Sequence, residues 1–142
     1  MTQPIFRRVF ALAALTALLT GCAGKSPDTA QVAGTWDGPA GATIILSADH
    51  HLTVKNVPAR DLIAGDNTVL SGEGTWALGQ APGQYAFLKG VQWWDVKLAL
   101  TANGYPKGLT TDLHYAMEDG RPVLFSWIDE DSGDRADFHR QP

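Results

Sequence analysis

The densest group of chemically reactive side chains lies near residue 130. Its acids are Asp129, Glu130, Asp131 and Asp134. Carboxylate oxygens bind Ca²⁺, but a calcium-binding loop needs glycine at its sixth position and a glutamate at its twelfth. Counted from Asp129, Gly133 is the fifth residue, and Arg140 stands at the twelfth position. The alternatives are a weak Ca²⁺ site and a solvated hairpin turn in which Asp131 or Ser132 caps the backbone and Arg135 pairs with Asp134 or another acid. The spacing favours the turn.

The four histidines do not form a metal-binding motif. His50 and His51 are adjacent in a predicted turn. Adjacent strand residues point to opposite faces and cannot easily chelate one zinc ion. His114 and His139 are isolated from other histidines in the sequence. We therefore predict no metal site and no cofactor.

The serines provide no recognisable nucleophile. Those considered are Ser47, Ser71, Ser126 and Ser132. None lies in the Gly-x-Ser-x-Gly elbow of hydrolases, and the chain lacks the alternation of strands and helices which that elbow requires. Paired carboxylates could cleave glycosidic bonds, but no pair stands out among the acids. The prediction is a protein without enzyme activity.

Cys22 is the only cysteine, and it follows an apolar run. The sequence Leu19-Thr20-Gly21-Cys22 resembles the lipobox of bacterial lipoproteins. The resemblance implies cleavage between Gly21 and Cys22, with lipid (a diacylglyceryl thioether and an amide-linked acyl chain such as palmitate) on Cys22. An acylated Cys22 could neither form a disulfide nor bind a metal, because its sulfur would no longer be a free thiol.

The segment before Cys22 has the composition of a signal peptide. Arg7 and Arg8 provide a positive start, and residues 9–19 are apolar apart from Thr16. Eleven helical residues span about 16 Å, whereas the hydrocarbon core of a bilayer is about 30 Å thick. A membrane-spanning helix is therefore disfavoured. A plain secretory signal with an incidental cysteine is the alternative to a lipoprotein signal.

These features divide the chain into three parts and predict its location. We assign residues 1–21 to a lipoprotein signal peptide, 22–32 to a lipidated tether and 33–142 to a folded domain. The protein is expected to be exported and anchored to the outer face of the cell membrane, or of another envelope membrane, through lipid on Cys22. The chain carries 15 Asp and Glu against 11 Lys and Arg, two of which lie in the signal. This acidity argues against nucleic acid as a partner.

The domain reads as a series of short strands. Trp94, Val96 and Leu98 alternate with Asp95 and Lys97, a period of two that predicts one buried and one solvated face. Further segments of β-branched and aromatic residues are separated by Gly, Asn and Asp. The pattern predicts an all-β domain, a small antiparallel up-and-down barrel of about eight strands.

The triplet Gly-Thr-Trp occurs twice, at residues 34–36 and 74–76. Glycine lets a neighbouring backbone come close, and tryptophan is a large plug with one N–H group to satisfy. A Gly-x-Trp on the first strand resembles the opening of lipocalin and avidin-type barrels, in which the Trp closes the bottom of the barrel.

A longer pattern adds to this likeness. It comprises Gly34-Thr35-Trp36, Leu52-Thr53-Val54, Pro58, the segment Gly72-Glu73-Gly74-Thr75-Trp76, and residues 125–135 (FSWIDEDSGDR). The pattern is similar to a group of small uncharacterised lipoproteins of actinobacteria, although Glu130 replaces the proline usual in that group. The resemblance implies a lipocalin-like barrel on a lipid anchor, and it implies no activity.

Several large aromatic residues fall on the predicted inner faces of the strands. They are Trp36, Trp76, Trp94, Tyr115, Phe125 and Trp127. They could line a pocket for an apolar ligand or fill a core, and the need of a small domain for buried area favours the core. We therefore expect a non-catalytic binding module with an envelope protein as partner. The alternative is a lipocalin-like carrier of a small apolar ligand.

Overall fold

The computed structural model describes residues 25–63, 67–82 and 92–142. The predicted signal peptide, Gly21 and Cys22 lie outside the described residues, as does the short strand that the sequence suggests near residue 85. Within the described ranges, no helix is long and apolar enough to cross a membrane.

Eight antiparallel strands close into a barrel in chain order. They are β1 (Gly34–Asp37), β2 (Thr43–Leu46), β3 (His51–Pro58), β4 (Val69–Pro82), β5 (Trp93–Ala102), β6 (Tyr105–Glu118), β7 (Arg121–Asp129) and β8 (Asp134–Arg140). Each strand pairs with the next, and β1 pairs with β8 through Trp36 and Arg140. The predicted all-β up-and-down barrel is thereby confirmed at the level of architecture.

Three short helical segments accompany the strands. They are α1 (Thr29–Val32) and two 3₁₀ turns, Pro39–Gly41 and Ala59–Asp61. Helix α1 begins with a capping box, in which Asp28 accepts from the Gln31 N–H and Gln31 accepts from the Asp28 N–H. The 3₁₀ turn at Ala59–Asp61 follows Pro58 directly.

The up-and-down order gives the barrel two distinct ends. At the N-terminal end lie residues 25–33, the β2–β3 turn and the β6–β7 hairpin at Asp119 and Gly120. At the opposite end lie the two 3₁₀ turns, the β5–β6 turn and the β7–β8 turn. The described residues 57–63 and 67–70 and the β7–β8 turn therefore lie at the same end of the barrel.

Glycine permits close contact between the backbones of β4 and β5. A Cβ atom on Gly74 would lie 2.0 Å from the carbonyl oxygen of Ala99, and one on Gly72 would lie 2.0 Å from that of Thr101. No real Cβ atom tolerates such contacts, so the two backbones can approach only without side chains. The prediction that glycine in the Gly-Thr-Trp repeat allows close backbone approach is confirmed at Gly74.

Candidate functional site

The barrel interior is the first place where a ligand could bind, and its described part is filled. Side chains from every strand form one buried cluster. Among its largest fully buried members are Trp36, Phe138, Ile44, Leu46, Leu52, Leu113 and Leu124. A void large enough for a small molecule would expose the side chains that line it. Because these residues are almost wholly inaccessible, they pack as a core and do not line a pocket.

Trp36 closes the N-terminal end of the barrel. Its indole Nε1 donates to the carbonyl oxygen of Val32 at 3.0 Å, and its ring meets Tyr115 edge to face. Val32 is itself fully buried. Helix α1 is thus joined to the barrel, although the sequence assigns residues 29–32 to the tether.

Arg140 fastens the same helix from the last strand. Its guanidinium group donates to the carbonyl oxygens of Gln31 at 3.1 Å and Ala33 at 2.6 Å, and it lies over the ring of Trp36. These carbonyls end a helix of four residues and need donors. A Cβ atom on Gly34 would stand 2.8 Å from Nε of Arg140, so this glycine also permits a close approach.

Trp76, on β4, also donates its indole N–H group to a backbone carbonyl. Its Nε1 donates to the carbonyl oxygen of Ser47 at 2.9 Å, in the β2–β3 turn, and its ring packs against His50. Both tryptophans of the Gly-Thr-Trp repeat therefore satisfy their N–H groups on backbone at the N-terminal end. The predicted role of a plug with one N–H to satisfy is confirmed for each.

Trp94 is inside the barrel as predicted, but its polar atom is unusual. Only 6% of the residue is exposed, and its Nε1 has no hydrogen-bond acceptor among the described residues. Its neighbour across the β5–β6 pair is Tyr115, whose hydroxyl donates to the sulfur of Met117 at 3.5 Å. Burial raises the pKa of the Tyr115 hydroxyl. An unpaired buried donor costs about 1–3 kcal/mol.

Phe125 and Trp127 do not face the barrel interior, and this prediction was wrong. On β7 it is Leu124 that joins the interior cluster. Phe125 and Trp127 belong to a second cluster with Trp93, Ala116 and Val123, on the outer face of β5, β6 and β7. The prediction assigned the wrong set of alternate residues on β7 to the interior. Residues 123–127 are nearly all apolar, so no alternation of polar and apolar positions marks the inner face.

This outer aromatic cluster is nonetheless densely packed. Phe125 is 0% exposed, and its ring lies 6.0 Å from that of Trp93 and 5.2 Å from that of Trp127. Both pairs meet edge to face, the arrangement that aromatic quadrupoles favour. Arg135 lies 4.6 Å above the Phe125 ring. The cluster is a second core on the outside of the barrel.

Ion pairs border the cluster. Arg135 donates to both carboxylate oxygens of Glu118, at 2.6 and 2.7 Å, and pairs with Asp137 through Nε at 2.7 Å. Those hydrogen bonds hold the pKa of Glu118 below its usual range and raise that of Arg135. The expected pairing of Arg135 with an acid is confirmed, with Glu118 and Asp137 as the partners.

His114 has an acidic partner but no nucleophile beside it. Its Nδ1 lies 3.0 Å from Oδ1 of Asp95, and its ring packs against Trp93 and Phe125 on the outer face. Ser126 follows Phe125 on β7, and it points inward because neighbouring strand residues face opposite sides. The geometry thus offers a histidine–carboxylate pair without the hydroxyl that acyl-transfer chemistry requires.

The histidines considered above as possible metal ligands lie in different places on the barrel. His50 lies against Trp76, and His51 lies 3.9 Å from Glu73. Within the described ranges, no three or more His, Cys, Asp or Glu residues come together as metal ligands.

The acidic turn folds on itself. The Asp129 carboxylate accepts from the backbone N–H groups of Asp131 and Ser132, and Ser132 Oγ accepts from that of Asp134. Ser132 caps the backbone as predicted, whereas the main acceptor is Asp129 and not Asp131.

The opposite end of the barrel carries exposed apolar residues and one buried acid. Val69 and Ile128 are each about half exposed. Asp61 in the 3₁₀ turn is only 4% exposed, and burial raises its pKa despite the nearby Arg60. Beside it, the backbone carbonyl of Leu62 accepts from the Thr111 hydroxyl and holds this turn over the barrel.

Shallow depressions also mark the outer faces of the strands. One of about 350 Å³ lies over β4, β5 and β6 and is bordered by Thr75, Lys97 and Asp112. Another lies at the β6–β7 hairpin beside Glu118 and His139.

No protein-family model, curated protein or solved structure matches this chain.

Proposed function

We propose that this protein is a lipid-anchored lipoprotein of the cell envelope whose barrel is a non-catalytic binding module. The observation that carries the binding-module proposal is the filled interior. Trp36, Leu113 and Phe138, from three different strands, are each 0% exposed, as expected of side chains that pack together in a core. A partner must therefore bind to the outer surface or to the connections at the barrel ends.

The opposite end of the barrel is the surface that best fits this role. It brings the 3₁₀ turn Ala59–Asp61 close to β7, and it exposes Val69 and Ile128 to solvent. Exposed apolar side chains rimmed by polar groups are typical of protein-binding surfaces. The rim here includes Arg60 and the acidic turn. An envelope protein is the class of partner that such a surface would accept.

A lipocalin-like carrier is the second candidate, and one observation favours it. The N–H group of Trp94 is buried inside the barrel without an acceptor among the described residues. A ligand carbonyl could supply that acceptor if neighbouring side chains moved. Tryptophan fluorescence titrated with a fatty acid should then change and saturate. We expect no saturable change, because the packed interior must first open.

The anchor is tested by labelling cells that express the full chain with a palmitate analogue. If Cys22 carries lipid, the wild type should incorporate the label and remain in the membrane fraction. Cys22→Ser should do neither. Ser26→Ala, four residues further along, is the matched control and should behave as the wild type. Equal labelling and membrane retention of Cys22→Ser would contradict the anchor.

A further inference from the structure

We propose that the N-terminal end of the barrel rests on the surface of the phospholipid bilayer, so that the opposite end points away from the membrane. This inference depends on the lipid anchor proposed above. It adds a second membrane contact, formed by the folded domain, and a fixed orientation.

The first argument is that few residues separate Cys22 from the part of the chain that is held on the barrel. Residues 29–33 are held on the barrel, because Trp36 donates to Val32 and Arg140 donates to Gln31 and Ala33. The capping box of Asp28 and Gln31 fixes the start of the helix. Only residues 22–28 therefore separate the proposed anchor from the segment that is held on the barrel.

The second argument compares the reach of that chain with the height of the barrel. Six residues span about 20 Å when fully extended and about 13 Å on average as a flexible coil. The ten residues of β5 correspond to a barrel height of about 25 Å at a tilt near 40°. The tether leaves from the N-terminal end, so it is too short to let the barrel turn over and place its opposite end on the bilayer.

The third argument is the chemistry of the N-terminal end. Met117 is 53% exposed there, directly before the β6–β7 hairpin, and presents a flexible apolar side chain. Among the described residues, the exposed charges at this end are Lys25 and Arg121 against Asp28, Asp49 and Asp119, a small excess of acid. Such a surface does not need anionic lipid. We therefore assign it to the interface of a neutral bilayer, which buries apolar side chains.

The experiment exploits the absence of any free thiol in the acylated protein. Met117→Cys and Ile128→Cys introduce one thiol each, at similarly exposed positions, 53% and 48%, on opposite ends of the barrel. Each lipidated full-length variant is labelled with a fluorophore and incorporated into phosphatidylcholine vesicles that contain a lipid with a nitroxide on its headgroup. Arg121→Cys and Val69→Cys form a second pair in case one label disturbs folding.

We expect the nitroxide to quench the label at residue 117 at least twofold more than that at residue 128, with the same order for residues 121 and 69. Equal quenching at the two ends, or stronger quenching at residue 128, would overturn the proposed orientation. Flotation with vesicles separates this from failure of the anchor. A chain that floats but shows equal quenching refutes the orientation alone, whereas a chain that does not float refutes the anchor and the orientation with it.

A longer tether provides the control. Insertion of ten Gly and Ser residues between Ser26 and Pro27 raises the reach of the free chain to more than twice the barrel height at about 3.5 Å per residue. The difference in quenching between residues 117 and 128 should then fall. An unchanged difference would refute the argument from tether length.

Discussion

Substitution of Gly74 by alanine tests the close backbone contact between β4 and β5. The added Cβ atom would lie 2.0 Å from the Ala99 carbonyl oxygen and 2.5 Å from the Cα atom of Leu100. Both neighbours are backbone atoms of β5, so no side-chain rotation can relieve the clash. Strand β4 must move away from β5 by about 1 Å, which stretches hydrogen bonds beyond their normal range of about 2.7–3.2 Å.

The magnitude follows from the two costs involved. Overpacking costs about 1–3 kcal/mol, and each weakened ladder hydrogen bond adds about 0.5–1.5 kcal/mol. Gly74→Ala should therefore lower the free energy of unfolding by about 3–5 kcal/mol, against a small gain from reduced backbone entropy of the unfolded chain. Urea unfolding of residues 24–142, followed by tryptophan fluorescence, measures the change.

Gly79→Ala is the matched control on the same strand. Its added Cβ would meet the Asp95 carbonyl oxygen at 3.2 Å, a contact that a small adjustment can relieve. We expect a change below about 1 kcal/mol. A Gly74→Ala variant as stable as Gly79→Ala would refute the reasoning, because the two strands would then not be in close backbone contact at Gly74.

The outer aromatic cluster and its ion pairs yield two more predictions. Phe125→Ala should cost about 3–5 kcal/mol, as in a core, whereas Thr101→Ala on the exposed outer face should stay within about 0.5 kcal/mol; a loss below 1 kcal/mol at Phe125 would show that the cluster is not packed. Glu118→Gln should cost about 1–2 kcal/mol at pH 7, and the exposed Glu73→Gln should cost almost nothing. Because the folded pKa of Glu118 lies below its unfolded value, its contribution is present above about pH 4.5 and disappears as the pH falls through the folded pKa. An unfolding-energy difference between wild type and Glu118→Gln that does not decrease as the pH falls below about 4.5 would contradict this assignment.

The strand pattern could be predicted where polar residues mark one face. On β5, Asp95 and Lys97 fix the parity, so Trp94, Val96 and Leu98 were assigned correctly to the interior. On β7, the run from Val123 to Trp127 has no charged residue, and large aromatic side chains suggested the wrong face. The registers of β7 with β6 and β8 set the parity, and no local signal carries that information.

The docking of α1 had a detectable signal. Asp28 and Gln31 have the spacing of a capping box, and Val32 supplies the buried contact. The polar composition of residues 23–31 nevertheless indicated a tether. The role of Arg140 could not be predicted, because it depends on closure of β8 against β1 more than one hundred residues away in sequence.

If the barrel is filled, the protein should carry lipid only at its anchor on Cys22. Native mass spectrometry of the full chain, purified from membranes in mild detergent, tests this directly. We predict the mass of residues 22–142 plus the lipid on Cys22, with no other bound molecule. An additional apolar molecule bound in one-to-one stoichiometry would contradict the filled barrel and establish the carrier instead.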